Sequence, residues 1–158
     1  MDNNRGTFNM VGSLRRSTVG NEVPELNEEV RNDVTMKKQF DYNINLDVKF
    51  DALELIDVPS LIAACKEQWS NQTLCRVNDS VVRLGVVQGE FHWHKHDEED
   101  EFFLVLEGKL LIDLEGKTIA LEPHQGCTIP RGVVHRTRAP ERTAILMEEQ
   151  GSVKPTGD

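Results

Sequence analysis

Cysteine is scarce in this chain. Cys65, Cys75 and Cys127 are the three among 158 residues. They are odd in number, widely spaced and form no Cys-x-x-Cys pair, which speaks against a disulfide framework. Reduced thiols acting as small apolar side chains in a cytoplasmic protein are the expectation. Positive charge is in deficit too. Lys and Arg number 18 against 27 Asp and Glu, giving a net charge of −9. A nucleic-acid backbone or an anionic membrane surface is therefore not an expected partner. No apolar run approaches the ~20 residues of a membrane helix. The opening "MDNNRGTFNM" has no apolar stretch after a basic one, so it does not read as a secretory signal.

What is present fits one domain, with hydrophobic residues at 38%. Residues 1–40 differ in kind from the rest. They are rich in Asn, Gly, Ser and Thr, show no sustained period, and carry six basic and six acidic side chains, so the whole of the −9 falls on residues 41–158. They read as a disordered tail. The domain is expected over 41–158, with its barrel over about 73–150. Within it, "VPSLIAACKEQW" is a helix candidate: Pro59 suits a first turn, and Leu61, Ile62, Cys65 and Trp69 share one face. From Thr73 onward, short apolar segments close on Asn78-Asp79, Glu107-Gly108, Glu115-Gly116 and Pro130-Arg131-Gly132. Such punctuation predicts an all-β antiparallel sandwich or barrel, with no room for the helical crossovers of a parallel sheet.

The stretch "GEFHWHKHDEEDEFFLVLEG" concentrates the chemistry. On a strand, alternate side chains share a face, so His94 and His96 point the same way, and His92 with them if the strand is regular that far. Glu101 opens the next apolar strand on the same face as Phe103 and Val105. A carboxylate at the edge of an apolar pocket needs a partner, and a metal ion is the most efficient one. His135 follows the Pro130-Arg131-Gly132 turn. Three imidazoles and a carboxylate suit a first-row divalent metal with a position left open, and suit calcium or magnesium poorly. Asp97 to Asp100 read as a solvated acidic turn, with Glu99 the alternative ligand to Glu101. Arg83, between Val82 and Leu84, reaches either into the pocket toward a substrate carboxylate or out to solvent, solvent being preferred. Arg131 is the candidate for meeting an acidic ligand. The strand Phe102–Leu106 is apolar on both faces, so one face needs a cover, either the preceding helix or a second subunit.

Two runs recur in order: Gly89, His94-Lys95-His96, Glu101, Gly108; then Gly126, Pro130-Arg131-Gly132, His135, with Ala139 where an Asn is usual. They resemble the two motifs of the cupin superfamily, over roughly residues 45–158. The resemblance implies a double-stranded β-helix, the cupin jelly-roll barrel, with a short helix before it. It implies His94, His96, Glu101 and His135 as the ligands of a divalent transition metal: iron, manganese, zinc or nickel. The function implied is a metal-dependent enzyme on a small-molecule substrate, either a dioxygenase or an isomerase or lyase. An open metal position would polarise a carbonyl or hydroxyl, or take O2 beside the substrate. His92, which the family pattern does not use as a ligand, is the candidate catalytic base. The alternative is a non-catalytic cupin module that binds a metal or a small ligand. A homodimer is expected.

Overall fold

The computed structural model describes residues 42–158; the disordered-tail reading of residues 1–40 lies outside them. Eight strands and one helix follow in order: β1 (Asn43–Asn45), α1 (Val58–Ala64), β2 (Trp69–Val77), β3 (Ser80–Glu90), β4 (Glu101–Glu107), β5 (Leu110–Leu114), β6 (Lys117–Leu121), β7 (Gly126–Ile129) and β8 (His135–Gln150). Among the described residues no helix is long and apolar enough to cross a membrane.

The strands form one curled sheet in the order β1-β2-β3-β8-β4-β7, with β5 pairing β8 and β6 pairing β5. Turn chemistry sets the hairpins. Val77 pairs with Ser80 across Asn78-Asp79, and Asn78 takes the φ of 54° that asparagine tolerates. Leu114 pairs with Lys117 across Glu115-Gly116. The long strand β8 stitches the barrel: its first part pairs with β5 (Leu111 with Arg138) and its second with β4 (Leu104 with Leu146). Pro140 does not end it. Between Ala139, paired with Gly89, and Thr143, paired with Val87, the register slips, so Pro140 sits in a bulge where its missing N–H costs no ladder bond.

Alternation along the strands separates two cores. Phe103, Val105, Leu110, Ile112, Ile129, Ile145 and Met147 fill one cluster, inside the barrel. Leu74, Leu84, Val86 and Ala144 face outward and pack under Ile62 of α1, joined by Leu61, Leu106 and Leu146. The helix is therefore a cover for the apolar outer face. At seven residues it is too short to persist alone. Asp57 caps it by accepting from the Ser60 N–H at 3.3 Å and the Ser60 Oγ at 2.6 Å.

Three expectations change. The helix stops at Ala64 because Cys65 turns extended (φ −68°, ψ 120°), and Trp69 is not on its face but opens β2, paired with Val87. That strand begins four residues before the expected Thr73. β1 runs parallel to β2, joined through α1, so the sheet is not wholly antiparallel. The three cysteines are free and half-buried.

Candidate metal centre

Backbone pairing brings the two sequence runs together. His94 and His135 exchange backbone hydrogen bonds, each N–H donating to the other's carbonyl at 2.9 Å. The Gly132 N–H donates to the His96 carbonyl at 2.6 Å, so the Pro130-Arg131-Gly132 turn docks on the His-Lys-His segment. Glu101 begins β4 beside Glu149 of β8 and faces inward. His96, Glu101 and His135 are all buried.

The ring tautomers follow from local bonds. His94 Nδ1 donates to the His92 carbonyl at 3.1 Å, and His135 Nδ1 to the Val133 carbonyl at 3.0 Å. Each leaves its Nε2 as a lone pair, the form a metal needs. His96 Nε2, His135 Nε2 and Glu101 Oε2 are buried and have no hydrogen-bond partner. Glu101 Oε2 stands 3.5 Å from His96 Nε2 and 3.4 Å from His135 Nε2. These gaps are long for a hydrogen bond and match donors sharing one ion, since two ligands about 2.1 Å from a zinc-sized ion stand about 3–3.4 Å apart. Donor atoms of His94, Glu101 and His135 lie within 4.8 Å of one another. A buried carboxylate facing two imidazole nitrogens, all three without a hydrogen-bond partner among the described residues, fits a divalent cation.

Electrostatics point the same way. Burial, then the adjacent His135, holds His94 down to about 4, so its ring is neutral near pH 7. Glu101 raises His96 above the usual imidazole value. Burial alone would push Glu101 up, but the facing His135 and His96 outweigh it and leave the carboxyl at about 2.

Residues 80–147 match the cupin domain family. A cupin-2 domain containing protein from Shewanella frigidimarina is 33% identical, over 61% of this chain and 94% of that one, with a TM-score of 0.59. The chain belongs to the cupin superfamily. The uncharacterized protein YdbB of Bacillus subtilis is 48% identical over 85 residues, 53% of this chain and 75% of that one. The polyketide synthase CurC of Streptomyces cyaneus is 44% identical over 45 residues, 28% of this chain and 29% of that one.

In this cupin the remaining expected residues are placed as follows. His92 is half-buried and turned aside, its Nε2 2.8 Å from the Thr156 carbonyl and its ring 4.3 Å from that of Phe91. A carbonyl oxygen only accepts, so Nε2 carries the proton and donates. Arg83 does not face solvent, correcting that preference. It is 3% exposed, with Nε bonded to Glu149 and Nη1 to Thr73. It points into the barrel, as do its neighbours in alternation Gly85 and Val87, but its Nε and Nη1 are committed to Glu149 and Thr73 and it does not line the cavity. Arg131 is exposed; its N–H donates to Asp100 at 2.9 Å and its Nη1 to the Glu98 carbonyl at 3.5 Å. It is bound to the acidic turn and is likewise absent from the cavity wall. Asp97, Glu98 and Asp100 are exposed, and Glu99 accepts from Ser152 Oγ at 3.2 Å rather than joining the cluster.

A cavity of about 30 Å³, enough for one or two waters, opens beside His94 and Glu101. Trp69 and Asn71 of β2 and Pro155 near the C-terminus line it, and none was signalled in the sequence as a site residue. For Trp69 and Asn71 the signal was hidden by the helical spacing that ran through Trp69. Residues 154–158 close over the His-Lys-His segment: the Asp158 N–H donates to the Lys95 carbonyl at 3.1 Å, and the Asp97 N–H to Asp158 Oδ2 at 3.0 Å.

Proposed function

We propose that His94, His96, Glu101 and His135 hold a divalent transition metal, and that this cupin is a metal-dependent enzyme acting on a small molecule in the adjoining cavity. One observation carries the reading: three buried donor atoms, His96 Nε2, Glu101 Oε2 and His135 Nε2, converge without hydrogen-bond partners. Such groups are costly unless an ion satisfies them. Bound there, the metal supplies a Lewis acid, and iron adds redox chemistry with O2. The chain's own part is orientation and exclusion. The His92 and Val133 carbonyls fix the rings of His94 and His135, and the apolar wall keeps bulk water from the site. Dioxygenase chemistry needs a redox-active metal, iron first among them; isomerase or lyase chemistry runs on zinc, manganese or nickel.

The test is metal analysis of the purified protein, then O2 uptake by the iron form and product analysis with each metal, against a panel of phenols and small carboxylic acids. Metal loading at one equivalent, lost in His96→Ala, is expected. Full occupancy in that variant would sink the site.

A second reading, a non-catalytic binding module, draws on one feature. Among the described residues the cavity wall carries no proton-transfer group besides the ligands, since His92 is turned away to Thr156. Tight reversible binding with no turnover by any metal form selects it. The homodimer also stands as a proposal, supported by Phe102 and Leu104, which are only half-buried on the outward side of β4. Sedimentation at micromolar concentration decides it.

A further inference from the structure

The wall of the cavity is unusual in its charge. Among the described residues Glu101 is the one acidic residue in it, and no Lys or Arg lines it. Phe91, Phe103, Ile145 and Met147 make the enclosed part apolar, and each is buried. Ile44, Trp69 and Pro155 are half-buried and mark the mouth.

Besides the Glu101 carboxylate assigned to the metal, one polar group on this wall lacks a partner among the described residues. Asn71 Oδ1 is buried and accepts no hydrogen bond. Asn71 sits on β2 opposite Gly85 of β3. A Cβ at residue 85 would stand 2.9 Å from Ile145 and 3.3 Å from Met147, so the absence of a side chain there keeps the wall beside Asn71 open. An orphaned buried acceptor costs stability in the empty protein, and a ligand that brings a donor removes that cost.

We propose that Asn71 is the ligand-recognising residue of this pocket, and that its Oδ1 accepts a hydrogen bond from the hydroxyl of an uncharged, flat, largely apolar molecule. The proposal rests on the reading of this cavity as the substrate site beside the metal. The cavity admits the hydroxyl and its nearest atoms. The ring of the ligand lies at the mouth against Trp69, which is itself backed by Phe91 at a centroid distance of 5.5 Å and an interplanar angle of 14°. Among the described residues no cationic side chain lines the wall, and a carboxylate set against Asn71 Oδ1 would face one acceptor with another. Only the metal could offset its desolvation, so acids are the wrong class for the Asn71 end of the cavity. This departs from the expectation that Arg83 or Arg131 meets an acidic ligand.

Calorimetric titration with 2-naphthol, 2-methoxynaphthalene and 2-naphthoate tests it, on metal-loaded wild type, Asn71→Leu and Asn71→Ala, with metal content measured on each. Wild type should bind 2-naphthol at least about tenfold tighter than the ether, because the ether leaves Asn71 unpaired. The metal-free wild type should bind 2-naphthoate more weakly still. Both variants should keep their metal and bind naphthol and ether alike. Equal binding of naphthol and ether by wild type, a preference that survives in either variant, tighter binding of naphthoate than of naphthol by the metal-free chain, or no binding of all three overturns the proposal. The naphthol-to-ether ratio is also measurable on the metal-free chain. An absent metal therefore refutes the proposed function, while a lost ratio refutes the role of Asn71.

Discussion

His94 and His135 face each other across a two-bond backbone bridge, with their ring centroids 4.3 Å apart. The bridge joins residues 41 positions apart in sequence and makes no use of either side chain. The pairing of the two ligands is therefore a property of the fold, and the rings are free to act on an ion.

From this bridge it follows that His94→Ala or His135→Ala should lower metal affinity by about 100-fold or more while the barrel persists. Metal competition with a chelating dye gives the affinity, and far-UV circular dichroism reports the strands. Loss of the β signal in either variant would show that the imidazoles, and not the backbone, hold the two runs together.

Proton release on metal binding is the second prediction. Burial keeps His94 at about 4, so it has no proton to lose near neutrality. His96 is raised by Glu101, so in the metal-free protein its protonated form persists above the ordinary value of 6.5. A metal must displace that proton. Affinity should therefore fall as pH falls through the raised His96 value, with up to one proton released per metal near pH 7. Calorimetry in buffers of different ionisation enthalpy counts the protons. Glu101→Gln removes the cause of the shift, so the residual binding of that variant should release fewer.

The barrel and the inward side of Glu101 were legible because each rests on a local rule. Asn78, Gly108 and Gly116 mark turns whatever the tertiary context, and period-2 alternation placed Glu101 with Phe103 and Val105. Other features depended on contacts that no local rule shows. Trp69 lies eight residues from Leu61, a helical spacing, and only pairing with Val87 makes it strand. Arg83 among valines reads as a solvent-facing residue, and only Glu149, 66 positions away, makes it an interior one. That Pro140 lies within β8 is likewise invisible to a local rule, because its bulge depends on the partner strand slipping at Gly89.

The Arg83–Glu149 pair gives a stability prediction with a sign. Both side chains are buried. Burial, then Glu101, raises Glu149 from its ordinary 4.5 to about 7, against the pull of Arg83. A raised folded value means that the contribution of Glu149 is full below pH 4.5 and is lost as pH rises through 7. In Arg83→Met the carboxylate has no partner, so its value climbs further and the loss continues at higher pH. The variant should be close to wild type at pH 5 and about 3–5 kcal/mol less stable at pH 8–9. Arg83→Met with Glu149→Leu should recover most of it. Urea denaturation of the metal-free protein at both pH values measures this, and a penalty equal at the two would mean that lost packing, not stranded charge, is the cause.

The segment over the site supplies the last prediction. Gly157 has φ +84°, and a Cβ there would stand 2.6 Å from His94 Cβ and 3.1 Å from the Lys95 carbonyl. The clash is with a β-carbon and backbone, so neither neighbour can swing away. Gly157→Ala must lift the segment off His94 and break the bonds that Asp158 makes to Lys95 and Asp97. Gly116 has a similar φ of +75° and nothing within 4 Å of its Cβ position. Gly116→Ala therefore carries the same backbone strain, about 1–2 kcal/mol, without touching the site. Gly157→Ala should weaken metal binding by about tenfold through misplacement of a ligand, and Gly116→Ala should leave it unchanged at a comparable loss of stability. Chelator competition and thermal unfolding on the pair separate the two effects. If both variants bind metal as wild type does, the segment covers the site without positioning His94.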